Sequence, residues 1–118
     1  MIIGSGLSDL GAFIYQQGYH YITNIDVSQI AVNFMKEKHH KMEEMDYVQM
    51  DITNDQTQIA ADSFNCIIDK GTLDSIVCSD NEQRKVESMC ANIFKFLSPG
   101  GTFICVSRGS PDTRLVYL

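Results

Sequence analysis

Four positions in the sequence combine residue types and spacing that suit the binding of a nucleoside. The Gly-Ser-Gly turn at residues 4–6 follows a short apolar run, and Asp26, Asp51 and Asp69 each follow a later apolar run. Glycines let the backbone turn tightly and approach a ligand closely, and a helix that starts after such a turn presents N–H donors. Asp26 lies 20 residues after Gly6, a spacing at which an acidic side chain accepts hydrogen bonds from ribose hydroxyls.

The other two carboxylates extend this interpretation along the same ligand. Asp51 would accept a hydrogen bond from an exocyclic amine of the base, and Asp69 would face a cationic or reacting end. A single aspartate after a strand is often only a helix cap or a turn residue. Because the glycine turn and the three aspartates follow four successive apolar runs in the same way, a shared binding role is the better interpretation.

The third glycine position of the dinucleotide fingerprint separates two classes of cofactor. That fingerprint reads G-x-G-x-x-G, and here the last position is Asp9. A carboxylate at the start of the helix would repel the charges of a pyrophosphate. S-adenosylmethionine (SAM) has no phosphate and carries a positive sulfonium, so it suits a pocket of aspartates better. The sequence therefore favours SAM, and a NAD(P)-dependent oxidoreductase is the weaker alternative.

An open α/β sheet would bring these residues together, and the apolar pattern predicts one. Strand-like runs lie at residues 1–3, 21–25, 47–50, 64–68 and 102–106, with helical patterns between all of them except the third and fourth. This alternation predicts a mostly parallel sheet with helices on both faces. Ligands of such sheets bind at the carboxyl ends of the strands, where the turn and the aspartates lie. We expect residues 1–118 to form a single domain.

The starts of two helices have their own signals. Ser28 is the predicted N-cap of one helix, and Asp80 with Gln83 is the predicted capping box of another. Residues 53–62 are predicted to form a loop. The buried face predicted for the helix after Ser28 consists of Ile30, Ala31, Phe34 and Met35.

Composition and charge exclude several classes of function. Nine basic and fifteen acidic residues give a net charge of −6, which argues against a nucleic-acid partner because such surfaces need clustered cations. The apolar runs are too short to span a bilayer. No spacing of cysteine and histidine fits a metal site. The four cysteines are interpreted as small buried residues of a cytoplasmic protein, and His20, His39 and His40 as surface residues.

Several segments resemble the motifs of class I SAM-dependent methyltransferases, whose fold is a Rossmann-like three-layer sandwich. The most specific is Asp-Lys-Gly-Thr-Leu-Asp at residues 69–74, which is similar to a signature of the subgroup that methylates lysines of elongation factor 1-alpha. The other segments with this resemblance are residues 2–8, 24–28, 49–53 and 97–101.

The resemblance implies a role for each candidate residue. The methionine part of SAM would lie against the glycine turn, the ribose and adenine against the ends of the second and third strands, and the methyl donor near Asp69. Asp69 is also the candidate catalytic residue, which would orient the acceptor amine. The implied cofactor residues are Gly4, Ser5, Gly6, Ser8, Asp26, Val27, Asp51, Ile52 and Asp69. The product would be S-adenosylhomocysteine (SAH), and the partner a protein substrate such as a translation factor.

The chain also departs from the subgroup's pattern. Ser5 and Leu7 replace a cysteine and an asparagine of the first motif. The first strand is short, and the subgroup's N-terminal helix and final strand hairpin are absent, so we expect a core truncated at both ends. Two further alternatives stay open, a non-catalytic binding module and a small-molecule methyltransferase. The sequence does not fix the oligomeric state.

Overall fold

The predicted alternation of strands and helices holds for most of the chain but fails in two places. Among the described residues, the strand at Met45–Gln49 is followed directly by the strand at Phe64–Lys70, and the helix at Thr72–Val77 is followed by the helix at Glu82–Phe96. The computed structural model describes residues 1–54 and 59–118, so part of the loop predicted at 53–62 lies outside the described residues. The elements are β1 (Ile2–Ile3), α1 (Leu10–Gln16), β2 (Ile22–Asp26), α2 (Gln29–Lys38), β3 (Met45–Gln49), β4 (Phe64–Lys70), α3 (Thr72–Val77), α4 (Glu82–Phe96), β5 (Leu97–Val106) and α5 (Pro111–Arg114). They fall into two compact units, Met1–Asp51 and Ile52–Leu118.

The first unit is a parallel three-stranded ladder with the order β3-β2-β1. Its register pairs Ile2 with Asn24 and Ile22 with Met45. Burial differs between the strands: β1 is buried throughout, whereas β3 alternates between buried residues, Met45 and Tyr47, and exposed ones such as Asp46 and Val48. The side chains that fill this core are almost fully buried, and the largest are Ile3, Ile25, Val32, Met35 and Tyr47.

Helix α1 lies against β2 through a glycine. A Cβ atom at Gly11 would lie 2.7 Å from Oδ1 of Asn24 and 3.2 Å from Sδ of Met45. Asn24 is only 1% exposed, and its side-chain amide donates to the carbonyl oxygen of Asp46 at 3.2 Å. Gly11 is therefore required by close packing rather than by backbone conformation.

Helix α2 confirms one local prediction and corrects another. Ser28 is its N-cap, and the hydroxyl accepts from the backbone N–H of Ala31 at 3.2 Å. The predicted buried face is wrong in part, since Ile30 is 84% exposed and Phe34 is 56% exposed. The helix instead buries Ala31, Val32 and Met35, because Met35 lies four residues after Ala31 and three after Val32, the two spacings that share a helix face.

The second unit pairs β4 with β5 in parallel. The register runs from Cys66 opposite Thr102 to Lys70 opposite Val106, with an irregularity between Phe64 and Cys66. Its buried apolar core, within the described residues, consists of Ile52, Ile67, Leu73, Val86, Met89, Ile93 and Phe96.

Two expectations about the second unit are wrong. The predicted capping box at Asp80 is absent, because the N-cap of α4 is Asn81 in a left-handed conformation without a side-chain cap. The cysteines are also less buried than predicted: Cys66, Cys90 and Cys105 are partly exposed and Cys78 is exposed. Among the described residues, no helix combines the length and apolar character needed to cross a bilayer.

Candidate functional site

The glycine turn after β1 has the backbone geometry that its sequence predicts. Gly4 and Gly6 both have positive φ angles, +58° and +49°, which side chains other than glycine adopt only with strain. The N–H of Ser5 donates to the carbonyl of Ile25 at 3.0 Å, and the N–H of Ser8 donates to the carbonyl of Ser5 at 3.0 Å. The turn is thus tied to β2 and folded back before α1 begins.

Asp26, at the end of β2, holds this turn through its side chain. Its Oδ2 accepts from the N–H of Gly6 at 2.7 Å, and its Oδ1 accepts from the N–H of Ser28 at 2.9 Å. The residue is only partly buried. A carboxylate has about four acceptor sites, so each oxygen retains a site that a ribose hydroxyl could use.

Ser5 carries an unsatisfied polar atom beside the turn. The residue is 5% exposed, and its Oγ has no hydrogen-bond partner among the described residues. An unpaired buried hydroxyl costs about 1–3 kcal/mol, so such an atom calls for a partner. A polar group of a ligand seated on the turn would supply one, which fits the amino-acid end of SAM.

The remaining candidates for nucleoside contact differ in exposure. Val27 is 63% exposed directly after Asp26, as expected for a side chain that packs on a base. Asp51 is exposed at the end of the first unit. Ile52 begins the second unit, is 4% exposed, and its carbonyl accepts from the side-chain amide of Asn92 at 2.8 Å. Ser8 uses its hydroxyl to accept from the N–H of Leu10 at 3.3 Å.

Asp9 lies at the N-cap position of α1, as expected, but it is not an isolated charge. Lys38 Nζ lies 2.6 and 2.8 Å from the two carboxylate oxygens, and this contact lowers the pKa of Asp9. The repulsion of a pyrophosphate is therefore weaker than the sequence alone implies. His39 Nε2 also lies 3.3 Å from Asp9.

The surface placement predicted for His39 is wrong. Its side chain is 9% exposed, and Nδ1 lies 2.7 Å from the hydroxyl of Tyr47. Tyr47 is 2% exposed, and burial, together with the charge of Asp9, raises its pKa to about 12. His39 thus joins an exposed carboxylate to a buried phenol, while His20 and His40 are exposed as predicted.

Asp69, at the carboxyl end of β4, organises the turn into α3. It is 0% exposed, and its oxygens accept from the N–H groups of Thr72 at 2.7 Å and Leu73 at 3.0 Å. Gly71, with φ of +89°, makes the turn between them. Cys105 Sγ lies 3.6 Å from Oδ2 of Asp69, and burial, with the charge of Asp69, raises the pKa of this thiol to about 11.

Asp74 forms a second network that the sequence analysis did not identify. Its carboxylate accepts from the hydroxyl of Ser107, from the N–H of Arg108 at 2.8 Å, and from Arg114 Nε and Nη2 at 3.1 and 2.9 Å. These partners, with Ser107 and Arg108 first, hold the pKa of Asp74 at about 2. The aspartate at each end of the segment 69–74 therefore has a structural contact, Asp69 with α3 and Asp74 with the turn after β5.

The family model described as a methyltransferase domain matches residues 2–105. The chain belongs to this family. The methyltransferase domain is 34% identical over 110 residues to a human eEF1A lysine and N-terminal methyltransferase, an alignment that covers 91% of this chain and 16% of that protein. It is 31% identical over 127 residues to the mitochondrial citrate synthase-lysine N-methyltransferase of Danio rerio, covering 98% of this chain and 50% of that protein. The resemblance to the elongation-factor subgroup is thereby confirmed.

The fold of the methyltransferase domain is also confirmed. A glycopeptide N-methyltransferase, MtfA, crystallised with SAM, superposes with a TM-score of 0.70 at 17% identity, over 88% of this chain and 44% of that one. The Rossmann-like α/β class with parallel strands is therefore as predicted, and membership of the methyltransferase family supports SAM as the cofactor. Family membership sets aside the oxidoreductase alternative. The domain spans 16% and 50% of the lengths of the two relatives.

Proposed function

We propose that this methyltransferase domain methylates the side-chain amine of a lysine in a protein substrate. The observation that carries the proposal is the 34% identity to the eEF1A methyltransferase across 91% of the chain. The citrate synthase-lysine methyltransferase adds a second relative whose name specifies a protein lysine. Elongation factor 1-alpha and citrate synthase are accordingly the first acceptors to test.

The geometry of the first unit supports a division of labour among the cofactor residues. Gly4 and Gly6 would bring backbone close to the methionine part of SAM, while Ser5 Oγ and Ser8 would supply polar contacts there. Asp26 would accept from the ribose hydroxyls with the lone pairs that Gly6 and Ser28 leave free. Val27 and Asp51 complete the proposed set in this unit, on the adenine side. The family resemblance adds Ile52, the first residue of the second unit.

The chain's own contribution to the reaction is positioning and exclusion of water. When bound, SAM supplies a methyl carbon whose bond to sulfur breaks as the acceptor nitrogen's lone pair attacks it, leaving neutral SAH. A lysine ammonium has a reference pKa of about 10.4, so its proton must pass to solvent before attack. Burial of the amine against protein disfavours the charged form and assists that loss.

Asp69 remains our candidate catalytic residue, and its contacts indicate how it would act. A residue that is 0% exposed and accepts from two N–H groups of α3 would act chiefly by fixing the turn at residues 70–72. That makes Asp69 a positioning residue in the first instance. Direct orientation of the acceptor amine stays a prediction.

We also propose a cytoplasmic location. No disulfide joins any of the four cysteines, all of which lie in the described residues, and this is typical of proteins in reducing compartments. Fluorescence microscopy of the tagged protein tests this, and an exclusively organellar signal would contradict it.

Two paired measurements test the proposed function. Calorimetric titration with SAH should show binding that is lost in Asp26→Ala and retained in Asp46→Ala, because Asp46 is an exposed carboxylate on the neighbouring strand β3. Radiolabelled SAM should then transfer label to recombinant elongation factor 1-alpha or citrate synthase, and lysine-to-arginine substitution in the acceptor should abolish it. SAH binding with no transfer to any protein would instead identify a non-catalytic binding module.

A further inference from the structure

A cleft of about 860 Å³ lies in the second unit, at the carboxyl ends of β4 and β5. We call it the β4–β5 cleft. Its volume falls in the range of about 300–1,000 Å³ that is usual for ligand sites. Its lining includes Lys70, Asp74, Cys78, Ser107, Arg108 and Arg114.

The β4–β5 cleft is positively charged although the chain is acidic. The lining contains three cations, Lys70, Arg108 and Arg114, and one carboxylate, Asp74. The chain as a whole has a net charge of −6. Arg114 is already paired with Asp74 at 2.9 Å. Within the described part of the chain, the side chains of Lys70 and Arg108 have no hydrogen-bonding or ionic partner. Two unpaired cations therefore face a cleft of ligand size.

The backbone that carries Arg108 is held in place by the Asp74 network. Asp74 accepts from the N–H of Arg108 at 2.8 Å and from the hydroxyl of Ser107. Ser107 Oγ in turn accepts from Arg114 Nε at 2.8 Å and from the N–H of Gly109 at 3.0 Å. On the other wall, the N–H of Gly71 donates to the carbonyl of Val106 at 3.0 Å, which fixes the residue after Lys70. Cations on a fixed backbone lose less entropy when they bind an anion.

We propose that the β4–β5 cleft binds a carboxylate side chain of the protein acceptor, close in sequence to the lysine that is methylated. Arginine matches a carboxylate through two parallel hydrogen bonds, and the lysine adds a second charge. The proposal rests on the proposed protein-lysine function and deepens it. The preferred acceptor is a lysine flanked by aspartate or glutamate.

Cys78 offers a direct measure of occupancy that does not depend on methyl transfer. It lines the cleft, and of the four cysteines, all in the described residues, it alone is exposed. The probe is an 11-residue synthetic peptide with one lysine flanked by aspartates, and the matched control has asparagines instead. The rate of Cys78 alkylation is measured by mass spectrometry with SAH present. The aspartate peptide should slow this rate at least fivefold more than the asparagine peptide does. Equal effects of the two peptides would overturn the proposal.

A double variant that replaces both cations of the cleft with neutral residues tests the same interaction by kinetics. Lys70→Gln with Arg108→Gln should raise KM for the aspartate peptide at least about tenfold, which is the effect of losing a single charge-assisted hydrogen bond, and leave KM for SAM and for the asparagine peptide unchanged. The matched control, Lys36→Gln with Arg84→Gln, removes two exposed cations on α2 and α4 and should change neither. A rise in KM for SAM would overturn the proposal, since the cations would then bind the cofactor's carboxylate.

The two proposals fail in different ways. Aspartate-dependent protection of Cys78 without methylation would refute the proposed function and leave the anion site intact. Methylation of both peptides with the same KM would refute the anion site and leave the proposed function intact.

Discussion

The Oδ2 atom of Asp26 accepts a hydrogen bond from the backbone N–H of Gly6 at 2.7 Å, although the two residues are 20 positions apart. The second oxygen accepts from Ser28 at the start of α2. One carboxylate thus fixes both the turn after β1 and the beginning of the next helix. The backbone of the proposed cofactor site is therefore held by hydrogen bonds within the chain itself.

Ser5→Ala should separate cofactor affinity from stability. Because Oγ of Ser5 is buried and unpaired among the described residues, its removal should leave the free energy of unfolding unchanged or slightly raised. If SAM supplies the missing partner, the Kd for SAH should rise by about fivefold, the worth of one ordinary hydrogen bond of about 1 kcal/mol. Urea unfolding and calorimetry measure the two quantities. A loss of stability with unchanged SAH affinity would assign Ser5 to packing alone.

Gly11→Ala should destabilise the first unit through a steric clash. The added Cβ would lie 2.7 Å from Oδ1 of buried Asn24, and overpacking of this kind costs about 1–3 kcal/mol. Urea unfolding measures the loss. In an Asn24→Ala background the cost of Gly11→Ala should shrink, because the clashing atom is gone. Equal costs in both backgrounds would show that the clash is not the cause.

Asp69→Asn should weaken the start of α3 and activate a neighbouring thiol. An amide places an N–H donor against the N–H of Thr72 or Leu73, and leaving such a group unpaired costs about 1–3 kcal/mol of stability. Removal of the charge should also lower the pKa of Cys105 from about 11, although burial will keep it above its ordinary value.

The pH profile of Cys105 alkylation, read by mass spectrometry, follows that thiol pKa. Asp80→Asn is the matched control, because Asp80 is an exposed carboxylate outside these contacts. If the alkylation profile were the same in Asp69→Asn and in the wild type, the charge of Asp69 would have no effect on the pKa of the Cys105 thiol.

Tyr47 should make the stability of the domain fall at alkaline pH. Its folded pKa of about 12 lies above the ordinary value of 10, so its contribution is fully present below pH 10 and is lost as the pH rises toward 12. Tyr47→Phe should lower stability at neutral pH, where the bond to His39 is lost, and flatten the decline between pH 10 and 12. The midpoint of urea unfolding, measured across this pH range, reports the change in stability. Tyr21→Phe is the control, because Tyr21 is 90% exposed. If the stability of Tyr47→Phe fell as much at alkaline pH as that of the wild type, the fall would be due to other titrating groups.

The parts of the structure that could be predicted from sequence depend on local signals. An apolar run followed by aspartate marks the ends of β2 and β4 at Asp26 and close to Asp69. Ser28 three residues before Ala31 marks the N-cap of α2. In each case the residues that decide the structure lie within a few positions of one another.

The parts that were missed depend on contacts between distant residues or on short elements. Helix α3 has only six residues, too few for a clear apolar period. The burial of His39 follows from its bond to Tyr47, and the role of Asp74 follows from partners 33 and 40 residues away. No pattern within a short window carries such information.

The pairing of Asp74 with Arg114 and Ser107 has an evolutionary consequence. Each of these side chains needs the others, since loss of one leaves a charge or a hydroxyl without its partner. Substitutions at the three positions should therefore co-vary among homologues. Asp69 binds backbone N–H groups instead, which every residue type except proline provides, so its position should stay fixed whatever happens to its neighbours.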